Sequence, residues 1–347
     1  MVTIWYASME DVKRAADISS SAGKDAEVMQ ALDESSDAVE KLCRRVFYPT
    51  VATRQFPWPQ DWTQNARILE LGKNELISVS SVVNGDGQTV APSSISLHPA
   101  DTGPPYSTVL NTDAFLAATA FPLAMGASIT VSGTYGHKIN EQSVATTTTN
   151  LSGTTVTVNN SSKLGIGSLI RIGNERLVIT AKGWTDSLNA VPITLTNLSS
   201  DDTFTVTSGA SYFIGEMLLI ESERMIIRDI VGNKLIVKRA VDGTVLNAHT
   251  TITLVNVARL LTVERAVLGT TAIDTPSPTA VQLFVFPPLV RRLARAEALN
   301  ALQQDSASYA HMAGSTSDRA TPMNIHALDE LRIRVQLAHG RFLTGAV

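Results

Sequence analysis

The sequence predicts an α+β protein. Its core is helical, made of an N-terminal helical hairpin and a long C-terminal helix, with a small β-sheet and an inserted all-β domain of barrel or sandwich type. Near both ends of the 347-residue chain, apolar residues recur every three or four positions, as they do on one face of a helix. Between the ends, short alternating segments separated by Gly, Asn and Pro are typical of strands and turns. We therefore predict a core of residues 1–143 and 287–347, with the β domain inserted at 144–286.

The N-terminal region, residues 8–47, has the pattern of two helices. Ser8 is a candidate N-cap, and Asp11, three residues later, takes the place of the acidic residue of a capping box. The second helix carries an apolar stripe in which one place is filled by a serine: Val28, Leu32, Val39, Leu42 and Val46. Cys43 follows Val39 by four positions, so we expect the thiol to pack in the core.

Residues 54–135 indicate short strands instead of helices. The segment RILELGKNELISVSSVVNGDGQTV contains two strands and a turn, and ASITVSGTYG contains a third that ends at Gly136. The polar stretch ATTTTN at 145–150 predicts a linker to the β domain.

The β domain contains an internal repeat. IGSLIRIGNERLVI at 166–179 matches IGEMLLIESERMII at 214–227, which lies 48 positions later, and a short strand ahead of each also matches. We therefore predict a duplicated strand-turn unit at about 155–179 and 204–227. Two such units bury each other's apolar faces, which one unit alone cannot do.

A turn sequence also occurs twice. RAVDGTVLNAHTT occupies residues 239–251, and a weaker copy, RAVLGTTA, occupies 265–272. Asp242-Gly243 suits a turn in which both central residues have positive φ. The first copy is predicted to reverse the chain and close the second unit.

The C-terminal region predicts two further helices. The first follows Pro287-Pro288, with the stripe Leu289, Leu293, Ala296, Leu299 and Leu302. Arg291, Arg292 and Arg295 cluster beside it, either as a solvated face or as a site for phosphates or an acidic neighbour. Thr321-Pro322 is a candidate N-cap and first residue of the final helix, after a flexible joint. One side of that helix is apolar: Ile325, Leu328, Leu331, Val335 and Ala338.

Composition excludes several classes of protein. A formal net charge of −4 argues against a dedicated nucleic-acid binder. The single cysteine forms no internal disulfide, which favours assembly in the cytosol. The first residues lack the pattern of a signal peptide, and no segment reaches the ~18 apolar residues of a membrane span.

No motif indicates an enzyme. The chain has no nucleophile elbow, Walker A loop or zinc-protease helix motif, and its six histidines do not pair at metal-ligand spacing. Glu175 and Glu223 occupy equivalent repeat positions, where they form either an acid/base pair of the glycosidase kind or a duplicated structural feature. The second interpretation explains both glutamates without chemistry, so we predict no catalytic residue, no cofactor and no metal.

The order of these segments resembles the head–tail connector (adaptor or neck) proteins of tailed bacteriophages. The resemblance depends on DAVEKLCRRVFYPTVATRQFPW, LELGKNELISVSSVVNGDG, ITVSGTYG and the helix that begins at Pro287, and it covers residues 8–136 and 287–313. The large β insert departs from the compact members of that family, and it is similar to β modules of other phage virion proteins.

The resemblance implies a structural virion protein, assembled in the bacterial cytoplasm. Such adaptors form a ring, commonly of twelve copies, beneath the portal and extend the DNA channel. The implied partners are the portal protein, a neighbouring neck, stopper or tail protein, further copies of the chain, and double-stranded DNA that passes without sequence-specific binding. No membrane is implied. The expected contacts with the portal or a neighbouring subunit come from two helices: Ile325, Leu328, Leu331, Val335, Arg291, Arg292 and Arg295. The alternative for the final helix is that its apolar side packs on the core of its own chain.

Two alternatives remain open. A tail- or baseplate-associated module that recognises a host surface glycan is favoured by the β insert and by Trp184, because aromatic rings stack on sugars, whereas the helical ends count against it. A glycan-cleaving virion enzyme depends on Glu175 and Glu223 alone.

Overall fold

A computed structural model describes residues 3–15, 24–57, 67–113, 116, 128–250, 252–312 and 325–341. The side chains of residues 188–192, 252–253, 305–312 and 325–326 lie outside this description. The chain divides into two compact units. Unit 1 comprises Met1–Val39, Glu141–Val267 and Thr271–Val335, and unit 2 comprises Glu40–Asn140, Leu268–Thr270 and Gln336–Val347.

The predicted helical core with a small sheet is wrong. Strands account for 38% of the structure and helices for 24%, and the largest sheet has ten strands. Three buried apolar clusters of the described residues consist largely of strand residues and the loops between them. A helix buries only one stripe, whereas the ten-stranded sheet supplies two of these clusters, so the strands dominate the interior.

Unit 2 contains the first six strands: β1 (Thr50–Pro57), β2 (Ile68–Glu70), β3 (Leu76–Val83), β4 (Ile95–His98), β5 (Thr108–Asn111) and β6 (Ser128–Tyr135). They form two antiparallel sheets, in the orders β1-β6-β3 and β2-β5-β4. The β6 side chains alternate between half-buried and buried, so one face of the strand packs into the unit's core.

Unit 1 contains the remaining strands: β7 (Glu141–Thr146), β8 (Thr155–Thr157), β9 (Leu169–Ile172), β10 (Glu175–Pro192), β11 (Thr203–Thr205), β12 (Met217–Ile220), β13 (Glu223–Val231), β14 (Lys234–Lys238), β15 (Ile252–Glu264) and β16 (Ala280–Phe284). Their order is β11-β14-β13-β12-β15-β10-β9-β16-β7, and β8 pairs with β15. The predicted linker at 145–150 begins inside β7, where Ala145 pairs with Val281. An isolated polar run therefore misled the prediction.

Four helices occur in the described residues: α1 (Met9–Ala15), α2 (Asp25–Cys43), α3 (Pro288–Met312) and α4 (Ile325–His339). The Ser8–Asp11 capping box is confirmed, because each residue's side chain accepts the other's peptide N–H. The predicted cap of the last helix, Thr321-Pro322, lies outside the described residues. None of the described helices is both long and apolar enough to cross a membrane.

The helical stripes were predicted in part. On α2, Val28, Leu32, Val39 and Cys43 are buried, whereas Val46 lies beyond the helix and is exposed. On α3, the buried face consists of Val290, Leu293, Ala294 and Ala298, so only Leu293 of the predicted stripe is fully buried. Leucine spacing alone misplaced this face, because small alanines let the helix approach its neighbours.

The two copies of the repeat are nested. Copy 1 consists of residues 154–179 and 260–283, and copy 2, residues 202–257, lies between those two parts. In copy 1 the strand neighbours run β8-β15-β10-β9-β16, and in copy 2 they run β11-β14-β13-β12-β15. Residues 154–179 of copy 1 correspond to residues 202–227 of copy 2, which lie 48 positions later in the chain. Residues 260–283 of copy 1 correspond to residues 234–257 of copy 2, which lie 26 positions earlier. The predicted units at 155–179 and 204–227 are therefore only the first half of each copy.

The equivalence of the copies extends to individual pairs. The Leu177–Ile170 pair of β10 and β9 recurs as Met225–Leu218 of β13 and β12. A β-bulge follows Ile179 in copy 1 and Ile227 in copy 2. Because a bulge changes the twist and direction of a strand, its repetition gives both copies the same curvature. Each copy encloses its own buried apolar cluster.

Two histidines of unit 2 pack against one aromatic ring. The rings of His137 and His339 lie edge-on to Phe47, with centroids 5.6 and 5.9 Å from it. Arg45 donates to the His339 carbonyl oxygen at 2.9 Å and forms a bidentate ion pair with Glu75. Burial, together with the charge of Arg45, lowers the pKa of His137 to about 4 and that of His339 below its ordinary value.

Unit 2 should therefore lose stability in mild acid. The pKa of His137 is about 4 in the folded chain and about 6.5 in an unfolded chain, so between these values the unfolded state binds more protons. Stability is greatest above pH 6.5 and falls as the pH approaches 4. Urea unfolding at a series of pH values measures this slope, and His137→Gln should make it shallower. An unchanged slope in the variant would contradict the assignment.

Candidate functional site

Each copy of the repeat contains a buried glutamate held by an arginine. In copy 1, Glu175 begins β10 and is 0% exposed. Arg265, which follows β15, donates to both carboxylate oxygens, with Nε–Oε1 and Nη2–Oε2 distances of 3.0 and 2.8 Å. The peptide N–H groups of Ala266 and Ile273 donate to the same oxygens at 2.9 and 3.1 Å. We call this arrangement the carboxylate clamp.

Copy 2 repeats the clamp. Glu223 begins β13, is 0% exposed, and accepts two bonds from Arg239 at 3.0 and 2.7 Å. The peptide N–H groups of Ala240 and Asn247 donate at 3.0 and 3.1 Å. The buried ring of His249 adds a fifth contact, 2.9 Å from Nε2 to Oε2. The two clamps therefore use the same atoms at equivalent positions.

The duplicated turn sequence is explained by this clamp. Its arginine pairs with the glutamate, and its next residue donates a peptide N–H to it. Positive φ occurs at matching positions in both copies: Ala240, Asp242 and Gly243, and Ala266, Leu268 and Gly269. Positive φ at Asp242 and Gly243 agrees with the sequence prediction, although the loop between β14 and β15 is longer than a two-residue hairpin turn.

The clamps make the two glutamates poorly suited to act as a general acid. Burial raises the pKa of each carboxyl, but the hydrogen bonds from arginine and peptide N–H groups outweigh burial and hold the pKa below its ordinary value. A general acid requires a raised pKa. Glu175 also accepts four hydrogen bonds, which occupy its four lone-pair sites. The geometry favours the structural interpretation of both residues.

A third buried carboxylate joins the two copies. Glu216, in the turn before β12, is 1% exposed and forms a bidentate pair with Arg259 of β15 at 2.8 and 2.7 Å. The peptide N–H of Ser161, in copy 1, donates to it at 3.0 Å. Sequence reasoning missed this residue because copy 1 has Ser168 in the same place.

The candidate binding site is a cleft of about 870 Å³ in unit 1. It is lined by the N-terminal segment, by strands of both copies and by residues near β16 and α3. Eight lining residues are Lys or Arg and three are Asp or Glu, so the cleft is basic although the whole chain is acidic. Such a charge balance favours an anionic ligand.

The N-terminal segment forms one wall of the cleft by docking on a turn of copy 1. The Met9 N–H donates to the Ile166 carbonyl at 3.0 Å, and the Ile166 N–H donates to the Glu10 carboxylate at 2.7 Å. The Trp5 ring covers Gly167 so closely that a Cβ there would collide with it. Glycine is therefore required at this position, which also has a φ of +86°.

Helix α1 is also tied to copy 2. Lys13 pairs with Asp25 at 2.5 Å and with Asp242 of the duplicated turn at 3.1 Å. Arg224 donates to the other oxygen of Asp242 at 3.2 Å. Burial raises the pKa of Glu10, which lies 3.8 Å from Lys182. No local sequence pattern predicted these contacts, since the partners lie far apart in the chain.

The predicted partner-binding residues occupy different environments. Leu328, Leu331 and Val335 on α4 are 8%, 9% and 0% exposed, so their own chain covers them. Ile325 begins α4, but its side chain lies outside the description. Among the described side chains of the helix, the large apolar residues that are exposed are Ile333 and Leu337, and Ala338 of the predicted stripe is exposed as well.

The predicted arginine cluster on α3 is divided. Arg291 donates to both carboxylate oxygens of Asp11 at 2.9 Å. Arg292 and Arg295 are exposed. Arg332 of α4 pairs with Glu297 of α3 at 2.6 and 2.8 Å, which fixes the two helices to each other.

Trp184, the candidate for sugar stacking, lines the cleft and is half-buried. The Arg224 guanidinium lies 5.7 Å from the centre of its ring. One side of the indole is therefore already in contact with a cation.

Within the described residues, no group of three His, Cys, Asp or Glu side chains is arranged to hold a metal ion. Cys43 is buried, and burial raises the pKa of its thiol to about 11, which agrees with a packing role. Comparison with known proteins identified no matching family model, curated protein or solved structure.

Breaking one clamp should destabilise unit 1 strongly. Glu175→Gln leaves Arg265 without its buried counter-charge, and we expect a loss of roughly 3–5 kcal/mol in the free energy of unfolding. Arg265→Lys should cost less, because it keeps the charge but loses the bidentate geometry. Urea unfolding measures both. Glu264→Gln is the control, since Glu264 is exposed on the same sheet. Equal stability of the Glu175 and Glu264 variants would contradict the role of the clamp.

Proposed function

We propose that this protein is a structural virion protein, a head–tail adaptor that forms a ring under the portal of a tailed bacteriophage. The ring, of about twelve copies, extends the DNA channel and joins the capsid to the tail. Its partners are the portal protein, a neighbouring neck, stopper or tail protein, other copies of itself, and DNA that passes without sequence-specific binding. Assembly takes place in the host cytoplasm.

The observation that carries the proposal is the order of elements in the segments that resemble adaptors. DAVEKLCRRVFYPT is the end of α2 followed by the start of β1, and LELGKNELISVSSVV contains β2 and β3. ITVSGTY is β6, and the segment after Pro287 is α3. The order of helix, antiparallel strands and long helix therefore supports the proposal.

The state of the buried charges also supports an assembly role. Glu175, Glu216 and Glu223 each use their carboxylate to fix strands and loops of the repeat. A scaffold held by such pairs keeps a defined shape, as a component of a stacked ring requires. A ring also requires two different complementary faces on each subunit.

The exposed side chains of α3 and α4 are the proposed partner-binding surface. Arg292 and Arg295 provide charge, and Ile333, which is 56% exposed, provides apolar contact. This surface replaces Leu328 and Leu331 as the residues to alter, because aspartate at those buried positions would disturb the fold itself.

A glycan-binding module of the tail or baseplate is the second candidate, and the position of Trp184 in the cleft favours it. Binding to host surface glycans that is lost in Trp184→Ala would support this candidate over the adaptor.

Ring formation on the portal tests the adaptor proposal. The purified protein, mixed with the portal protein from the same genome, should give a ring stacked coaxially on the portal in electron micrographs. The triple variant Arg292→Glu, Arg295→Glu, Ile333→Asp should weaken attachment at least about tenfold, because it reverses the charge and removes the apolar contact.

The control is Leu198→Asp, which places an aspartate at an apolar residue that is 60% exposed between β10 and β11. It should attach like the unaltered protein, and circular dichroism should show that all variants are folded. A folded, monodisperse protein that does not associate with the portal would reject the adaptor.

A further inference from the structure

One turn of copy 2 repeats the surface on which the N-terminal segment docks in copy 1. Residues 165–168 of copy 1 correspond to residues 213–216 of copy 2. The hydrogen bond from Gly167 N–H to Ile179 O, 2.7 Å, recurs from Gly215 N–H to Ile227 O at 2.9 Å. The bond from Ile179 N–H to Ser168 O recurs from Ile227 N–H to Glu216 O. The backbone of the two turns is therefore equivalent.

The occupancy of the two turns differs. In copy 1, Met9 and Glu10 satisfy the peptide groups of Ile166, and Trp5 covers Gly167. In copy 2, neither peptide group of Ile214 has a hydrogen-bond partner in the described parts of the chain.

The copy 2 turn is also open to solvent. Ile214 is 57% exposed, and a Cβ at Gly215 would meet nothing closer than the Ser162 carbonyl at 3.6 Å. Both residues line the basic cleft, beside the exposed Lys163 and Arg228. The turn thus combines unused peptide groups, an exposed apolar side chain and positive charge.

We propose that the Ile214–Gly215 turn binds an acidic peptide segment of a partner protein. The segment donates a peptide N–H to the Ile214 carbonyl, as Met9 does in copy 1, and directs a carboxylate to the Ile214 N–H along a path that avoids the Phe213 side chain. Lys163 and Arg228 attract the carboxylate, and an aromatic ring of the segment covers Gly215. The partner is defined by this chemistry, and the proposal does not depend on the adaptor role.

One difference between the copies sets the path of the segment. Phe213 replaces Gly165, where a Cβ would lie 2.5 Å from the Glu10 carboxylate and 2.7 Å from the Ser8 hydroxyl. The occupant of copy 2 therefore approaches from the Gly215 side. Phe213 itself lies under Arg259, whose guanidinium is 5.7 Å from the ring centre. Removing the Phe213 side chain should make the turn more like that of copy 1.

The test uses a fluorescent peptide of residues 3–12, TIWYASMEDV, added to the full-length protein. Fluorescence anisotropy should detect binding, and a peptide with Glu10→Gln should bind about tenfold more weakly, because a charge-assisted hydrogen bond is lost. Ile214→Asp and Arg228→Glu in the protein should weaken binding to a similar extent, whereas Phe213→Gly should strengthen it several-fold. Val245→Asp, at an exposed apolar residue outside the cleft lining, should have no effect.

A peptide with a photoreactive benzophenone at Trp5 locates the site by mass spectrometry. Crosslinks at residues 213–217 support the proposal, and crosslinks at 165–168 overturn it, since the peptide would then exchange with the chain's own segment. Equal competition by inorganic phosphate would indicate a simple anion site and also overturn it. The absence of peptide binding would also overturn the proposal. Self-association of the protein that is lost in Ile214→Asp would overturn it as well, because the turn would then bind a second copy of the chain.

Discussion

The repeated β structure depends on a buried carboxylate that faces an arginine. Glu175 and Glu223 lie at the first residue of β10 and β13, where no solvent compensates their charge. An unpaired charge in such a place is costly, so the arginine and the two peptide N–H groups must be in position whenever the sheet is formed. This requirement fixes the hairpin register and also holds the loop after the arginine, in which three residues of each copy have positive φ. One interaction therefore specifies both the strand start and the loop conformation.

The sequence was sufficient for features that involve neighbours along the chain. The Ser8–Asp11 cap, the Asp242–Gly243 turn and the repeat between 166–179 and 214–227 depend on local spacing, and their patterns were visible. The arginine partner of Glu175 was not visible in this way, because Arg265 follows it by 90 positions. The fold class was wrong for a related reason. Helical periodicity is strong in short windows. The large sheet instead depends on pairing between strands that are far apart in the chain, such as β10 and β15, and no short window contains that information.

The candidate site also could not be predicted from short stretches of the sequence. Its basic cleft is assembled from the N-terminal segment, both copies and α3, which are far apart in the chain. The predicted residues of α4 had the right helical spacing, but spacing does not distinguish a face that packs on the chain from one that meets a partner. Leu328 and Leu331 lie on a face that packs on the chain, and Ile333 is exposed.

The two copies have equivalent backbones but carry different side chains at their surfaces. Gly165 corresponds to Phe213, so one turn accepts the N-terminal segment and the other does not accept it in the same way. Asp242 corresponds to Leu268, so one loop tip pairs with Lys13, while the tip Leu268–Thr270 belongs to unit 2, where Gly269 lies against the backbone of Val51. A common framework thus presents different contacts at equivalent positions.

The nesting of the copies has a consequence for how the chain acquires its structure. All strands of copy 2 except the shared β15 are contiguous between residues 203 and 238, so its contacts close short loops. The two halves of copy 1 are separated by the whole of copy 2, and bringing them together costs more chain entropy if the intervening segment is unfolded. Once copy 2 has formed, it holds the ends of β10 and β15 side by side and shortens the effective loop. We therefore expect copy 2 to fold first and copy 1 to complete its sheet on it.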